Sequence, residues 1–151
     1  RYLDFECINF GFSGSARGEI EMAEVIAELE LAAFVMDYDH NAPNPEHLEK
    51  THEAFFMHIR EKRPNLPIVL VSRPGVENNP EDSEKRKNII LKTYNNALAK
   101  GDKNVFWVDG KTLYGENDRD ACTVDGVHPN DLGFLRMAQN IKETLKKALE
   151  N

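Results

Sequence analysis

Short apolar runs alternate with amphipathic helical patterns along the whole chain, and this alternation limits the folds open to it. The apolar runs occupy residues 5–10, 32–36, 66–71 and 105–108. The run from Ile68 to Val71 contains no polar residue, which is typical of a strand buried on both faces. Helical patterns begin near residues 19, 44, 83 and 130, with Asn44 predicted to cap the second helix and Ser83 to open the third. Strands and helices in this order predict an α/β domain, a parallel sheet covered by helices on both faces.

The composition excludes several function classes. The chain has 151 residues, enough for a single domain with a substantial core, and we treat residues 1–151 as one domain. Its net charge of −7, with no basic patch, argues against nucleic acid as a partner. No apolar run approaches the roughly 20 residues that a membrane-spanning helix needs, so no membrane partner is expected.

The segments that suggest chemistry all follow predicted strands. Ligands of parallel α/β sheets bind beyond the carboxyl ends of the strands. We therefore expect one rim of the molecule to collect the glycine-rich turn at residues 11–18, the loop at 37–43, the turn at 72–75 and the loop at 125–128.

The most informative of these segments is Asp125-Gly126-Val127-His128-Pro129, which precedes the last helix. A carboxylate three residues before an imidazole can accept the Nδ1 proton of His128. The other ring nitrogen is then free to act as a general base. Such a histidine is typical of acyl transfer, which also requires a nucleophile and an oxyanion hole.

Three segments together resemble the SGNH (GDSL-type) esterases and lipases over nearly the whole chain. The stretch at residues 9–14 resembles that family's second block, whose glycine donates a backbone N–H to the oxyanion, and Gly14 matches it. The stretch at 37–41 is similar to the third block, in which Asn41 would supply a side-chain amide. It departs from the usual Gly-x-Asn-Asp pattern, since no glycine precedes Asn41 and alanine follows it. Asp125 and His128 match the fifth block, which carries two members of the triad.

The family's first block, with its nucleophilic serine, has no counterpart before residue 9. The resemblance implies a flavodoxin-like, three-layer α/β/α fold in which the first strand lies between the strands at 5–10 and 32–36. Without that first strand, backbone groups of its two neighbours would lie unpaired in the interior. We therefore expect this domain to be N-terminally incomplete, with the first strand and its serine supplied by another part of the parent protein.

The remaining polar residues of the rim have simpler interpretations. Ser13 and Ser15 are expected to be turn residues rather than nucleophiles. Arg17 and Arg73 are predicted to bind a polar substrate or to pair with an acid. Asp37-Tyr38-Asp39-His40 could suggest a metal, but no further converging ligands can be named. Neither a metal nor a cofactor is expected.

The resemblance implies hydrolysis of short-chain acyl esters, acetyl esters of carbohydrates among them, by a Ser-His-Asp mechanism. Two alternatives stay open. The domain could be a catalytically inactive binding module that keeps the pocket, or a nucleotide-binding domain. The glycine-rich turn lacks the dinucleotide-binding spacing and a P-loop lysine, which disfavours the latter. Nothing in the sequence indicates the compartment.

Overall fold

A computed structural model describes residues 2–75 and 79–150 of the chain. Within these residues, no helix is both long and apolar enough to cross a membrane. The strands are β1 (Phe34–Met36), β2 (Ile68–Val71) and β3 (Val105–Val108), and the helices are α1 (Ile20–Glu28), α2 (Pro45–Lys62), α3 (Pro80–Ala99) and α4 (Asp131–Leu149). Single 3₁₀ turns at Gly110–Thr112 and Asp120–Cys122 lie between β3 and α4.

The described strands form one parallel sheet in the order β1-β2-β3. All four residues of β2 are buried, as its uninterrupted apolar sequence predicts. Ile68 and Leu70 face a core cluster shared with α1, α2 and α3. Val69 and Val71 face a second cluster, against which α4 packs. The α/β fold with a parallel sheet between helical layers is therefore confirmed.

Asparagine side chains cap the helices that follow loops. Asn44 Oδ1 accepts a hydrogen bond of 2.8 Å from the backbone N–H of His47 at the start of α2, as predicted. Asn130 caps α4 in the same way. The prediction that Ser83 opens α3 is wrong, because the helix begins three residues earlier at Pro80 and Asn79 is its cap. An asparagine followed by proline at the first helical position is a strong start signal.

The prediction of a strand at residues 5–10 is also wrong. This segment has no ladder partner among the described residues and is largely exposed, with Phe5 and Ile8 each 54% accessible. A strand needs a neighbour to pair its backbone groups, and an apolar sequence alone does not supply one. Between this segment and β1 lies a cavity of about 630 Å³, which we call the groove.

The groove exposes one backbone edge of β1. Phe34 donates its N–H to the carbonyl of Pro67 on the β2 side, at 2.9 Å. Because backbone groups alternate direction along a strand, those of Val35 point to the opposite side, toward the groove. Within the described residues no strand pairs with that edge. The gap lies where the resemblance places a first strand.

A buried histidine joins α2 to α3 near the carboxyl end of the sheet. His52 is 1% exposed, its Nδ1 lies 2.9 Å from Thr93 Oγ1, and its ring stacks on Tyr38. Burial lowers the pKa of His52 to about 3. The imidazole is therefore neutral in the folded protein at every ordinary pH.

We expect His52 to make folding less stable in acid. In the unfolded chain the pKa of His52 is near 6.5, so the unfolded state binds a proton there below that pH. The folded state does not bind this proton until about pH 3, and acid therefore favours unfolding. Between pH 7.5 and 5.0 the free energy of unfolding should fall by about 1–2 kcal/mol more in the wild type than in His52→Gln, measured by urea unfolding. Other titrating groups are common to both proteins. An equal fall in the free energy of unfolding of both proteins would contradict the assignment of this pH dependence to His52.

Candidate active site

The Asp125–His128 pair is built within one tight loop. The Nδ1 atom of His128 lies 2.7 Å from Asp125 Oδ2. The other carboxylate oxygen accepts the backbone N–H groups of His128 at 2.8 Å and Val127 at 3.0 Å. Gly126, at φ +84°, makes the turn that brings the two side chains together. The loop thus orients both members of the pair through local bonds alone.

These hydrogen bonds keep the Asp125 carboxylate ionised. The backbone N–H of His128, then its ring and then the N–H of Val127 lower the Asp125 pKa well below its usual value. An ionised carboxylate at Nδ1 favours the tautomer whose Nδ1 carries the proton. The side chain of His128 is 77% exposed, so its Nε2 is open at the rim as an acceptor for a substrate or nucleophile proton.

The start of α4 fixes the position of this loop. Asn130 donates its backbone N–H to the carbonyl of Cys122 at 3.0 Å, and a bridge pairs Thr123 with Pro129 across the base of the loop. Gly133 lies against the same carbonyl, where a Cβ atom would approach to 2.2 Å. The helix and the loop therefore approach more closely than any side chain at this position would allow.

Asn41 lies in the turn that follows β1 and lines the groove. Its backbone N–H donates to the carbonyl of Tyr38 at 2.9 Å. The neighbouring His40 has its pKa lowered to about 4, first by desolvation and then by the positive charges of Arg73, Arg86 and His128. His40 is exposed, so solvent weakens this effect.

The glycine-rich turn is attached to the same loop. Gly18, at φ +80°, packs on Tyr38, whose hydroxyl oxygen would lie 2.5 Å from an added Cβ. The carbonyl of Arg17 lies 2.9 Å from His47 Nε2 on α2. Gly14 itself has φ +83° and open space around it. The Gly14 turn and the Asn41 loop are thus joined by contacts, and the segment that leads to His128 contacts the turn after β2, where Arg119 donates to the Pro74 carbonyl at 2.7 Å. The catalytic roles of Gly14, Asn41 and His128 remain predictions.

The two arginines differ in their surroundings. Arg17 is exposed and its Nε donates to the carbonyl of Gly14 at 3.1 Å, so its guanidinium lies at the rim. The Arg73 guanidinium instead contacts the carboxylate of Asp82 and the hydroxyl of Ser83. These bonds give Arg73 a structural role. Substrate binding remains a prediction for both, and Arg17 is better placed for it.

Asp37 is a further acid of the rim that the sequence suggested only as a possible metal ligand. It follows β1 directly and lines the groove. Desolvation, with a contribution from the charge of Asp39, raises the pKa of Asp37, but the residue is exposed toward the groove, so solvent weakens this effect. No group of three or more metal-ligating side chains converges within the described residues. The position of Asp37 directly after a predicted strand is the sequence feature that could have identified it as a residue of the site.

Comparison with known proteins identifies the family. The model of the GDSL-like lipase/acylhydrolase family matches residues 1–146. The chain belongs to this family. A crystal structure described as a GDSL-like lipase from Bacteroides ovatus is 31% identical, with a TM-score of 0.84, and the match covers 95% of this chain and 43% of that one. No curated protein matches this GDSL-like domain significantly.

A second solved structure has a similar fold. The salicylyl acyltransferase SsfX3 from a tetracycline biosynthetic pathway matches with a TM-score of 0.73 at 20% identity, over 87% of this chain and 42% of that protein. At this identity the likeness shows the fold alone. The GDSL-like chain thus spans less than half the length of either structure that it matches.

The contact between the glycine-rich turn and the Asn41 loop can be tested with two matched glycines. Alanine at Gly18 or at Gly14 meets the same strain at positive φ, about 1 kcal/mol. Only alanine at Gly18 would also collide with Tyr38. We expect Gly18→Ala to lower the free energy of unfolding by roughly 1–3 kcal/mol more than Gly14→Ala, measured by urea unfolding. Equal losses would show that the Tyr38 contact does not hold the turn.

Proposed function

We propose that this domain hydrolyses short-chain acyl esters, acetyl esters of carbohydrates among them, with a serine supplied from outside the chain. The Asp125–His128 bond of 2.7 Å beside an open Nε2 is the observation that carries the proposal. Family membership supports an ester as the substrate. The acyl group and the alcohol are inferred from the family resemblance.

The proposed chemistry uses the rim residues in defined roles. His128 Nε2 removes the proton of the serine hydroxyl as its oxygen attacks the acyl carbonyl. The backbone N–H of Gly14 and the side-chain amide of Asn41 donate to the resulting oxyanion. The imidazolium returns the proton to the departing alcohol, leaving an acyl-serine. Water, deprotonated by His128, then releases the carboxylic acid and restores the serine.

The groove supports the proposal that the serine arrives on an inserted strand. It offers the unpaired edge of Val35 and apolar walls that include Phe5, Ile8 and Phe12, each at least 45% exposed. Exposed apolar patches of this kind mark surfaces that a partner segment covers. A parallel strand in the groove would end beside Asp37 and Asn41, so a residue just beyond it would approach His128.

The serines of the chain itself are poorly suited as nucleophiles. Ser72 is buried and its hydroxyl accepts the N–H of Gly110 at 2.8 Å. Ser83 bonds to the Arg73 guanidinium. Ser13 and Ser15 are exposed in the glycine-rich turn. We therefore expect the separate chain to be inactive.

The test uses the full-length protein with p-nitrophenyl acetate. Asp125→Asn should lower kcat/KM by roughly 10²–10⁴-fold, because the neutral amide no longer holds the imidazole in the base tautomer. His128→Ala should abolish turnover, and Asn41→Ala should lower kcat by about 10²–10³-fold. Asp120→Asn, an exposed acid near the same loop, is the matched control and should change kcat/KM less than about three-fold.

Labelling with a fluorophosphonate locates the nucleophile. Mass spectrometry of the labelled full-length protein should find the modified serine outside residues 1–151. A label on a serine within this chain would refute the inserted-strand proposal. No label and no turnover with any short ester would favour the inactive binding module.

A further inference from the structure

A buried arginine on α3 holds the loop that carries Asn41. Arg86 is 5% exposed. Its Nη1 donates to the backbone carbonyls of Asp39 and Ala42, the latter at 3.0 Å. These two carbonyls stand on either side of Asn41 in the sequence. The Arg86 side chain therefore fixes both ends of the turn that presents the Asn41 side-chain amide.

The same arginine belongs to a closed ring of bonds. Arg86 Nε donates to Asp82 Oδ2 at 2.7 Å, and that oxygen also accepts from the Arg73 guanidinium. The backbone N–H of Arg73 in turn donates to Asp39 Oδ2 at 2.9 Å. The ring joins the loop after β1, the turn after β2 and the first turns of α3. Each of these segments lies at the carboxyl edge of the sheet.

This arrangement is costly as a purely structural device. Asp39 is 1% exposed, and among the described residues its Oδ1 has no hydrogen-bond partner. Replacing buried ion pairs by apolar side chains is often neutral for stability or favourable. We take the burial of these charged groups as a sign that they hold a neighbouring group in one geometry.

We propose that Arg86 is a positioning residue for the oxyanion hole, acting through Asn41. The inference rests on the proposed function and adds a residue to it. Arg86 does not touch the substrate. By holding the carbonyls of Asp39 and Ala42, it keeps the Asn41 amide where negative charge develops in the transition state. A displacement of about 1 Å in such a donor can lower the rate 10²-fold.

The experiment compares Arg86→Met, Arg86→Lys, Asn41→Ala and the double variant in the full-length protein. Arg86→Met should lower kcat for p-nitrophenyl acetate by roughly 10–100-fold with KM changed less than about three-fold, since the lost stabilisation belongs to the transition state. Arg86→Lys, which keeps a donor for one carbonyl, should recover part of kcat. In the Asn41→Ala background, Arg86→Met should lower kcat less than about three-fold further.

Arg60 provides a matched control. It is a partly buried arginine on α2 that donates to the carbonyls of Arg63, Leu66 and Asn104 and pairs with Asp102. These bonds hold the loops before β2 and β3, at the opposite edge of the sheet. Arg60→Met should lower the melting temperature and leave kcat of the folded protein within about two-fold of wild type.

Different results overturn different parts of the argument. A wild-type kcat in Asn41→Ala refutes the oxyanion assignment in the proposed function. A large fall in Asn41→Ala with unchanged kcat in Arg86→Met refutes only the positioning role. So does full additivity in the double variant, or an effect confined to the melting temperature. Should Arg86→Met fail to fold, a lowered kcat in Arg86→Lys together with a smaller effect of Asn41→Ala in that background would support positioning. A wild-type kcat in Arg86→Lys, or full additivity with Asn41→Ala, would count against it.

Discussion

Parallel pairing of β1, β2 and β3 is the constraint on which the rest of the structure depends. Because all strands run the same way, the loops that follow them emerge at one edge. Asn41 follows β1 and the Arg73 turn follows β2, while the long segment after β3 returns to the rim at His128. Segments that are far apart in the sequence are therefore brought to the same edge of the sheet, where bonds such as that from the Arg73 N–H to Asp39 join them.

Much of this arrangement could be predicted from the sequence because it depends on local signals. The buried strand Ile68–Val71, the caps Asn44 and Asn130, and the spacing of Asp125 and His128 each use information within a few residues. These features could be predicted from short sequence patterns because the interactions that form them join residues close together in the sequence. The α/β fold followed from the order of such segments, and the family from the resemblance of three of them to its sequence blocks.

The remaining features depend on partners that the sequence does not reveal. The segment at residues 5–10 is apolar enough for a strand, but pairing needs a neighbouring strand, which the described residues do not provide. Arg86 lies in a charged helical stretch and pairs with Asp82 four residues earlier, a pattern typical of solvent-exposed helix faces. Its burial is decided by the distant carbonyls of Asp39 and Ala42, so it could not be recognised from its neighbours.

The bare edge of β1 has a consequence for how the domain can be made. An unpaired strand flanked by exposed phenyl rings is a template for another chain, so a newly synthesised molecule would risk self-association until that edge is covered. A strand in the groove, as proposed above, would cover that edge. The same pairing would then both protect the domain from self-association and bring the nucleophile to its base.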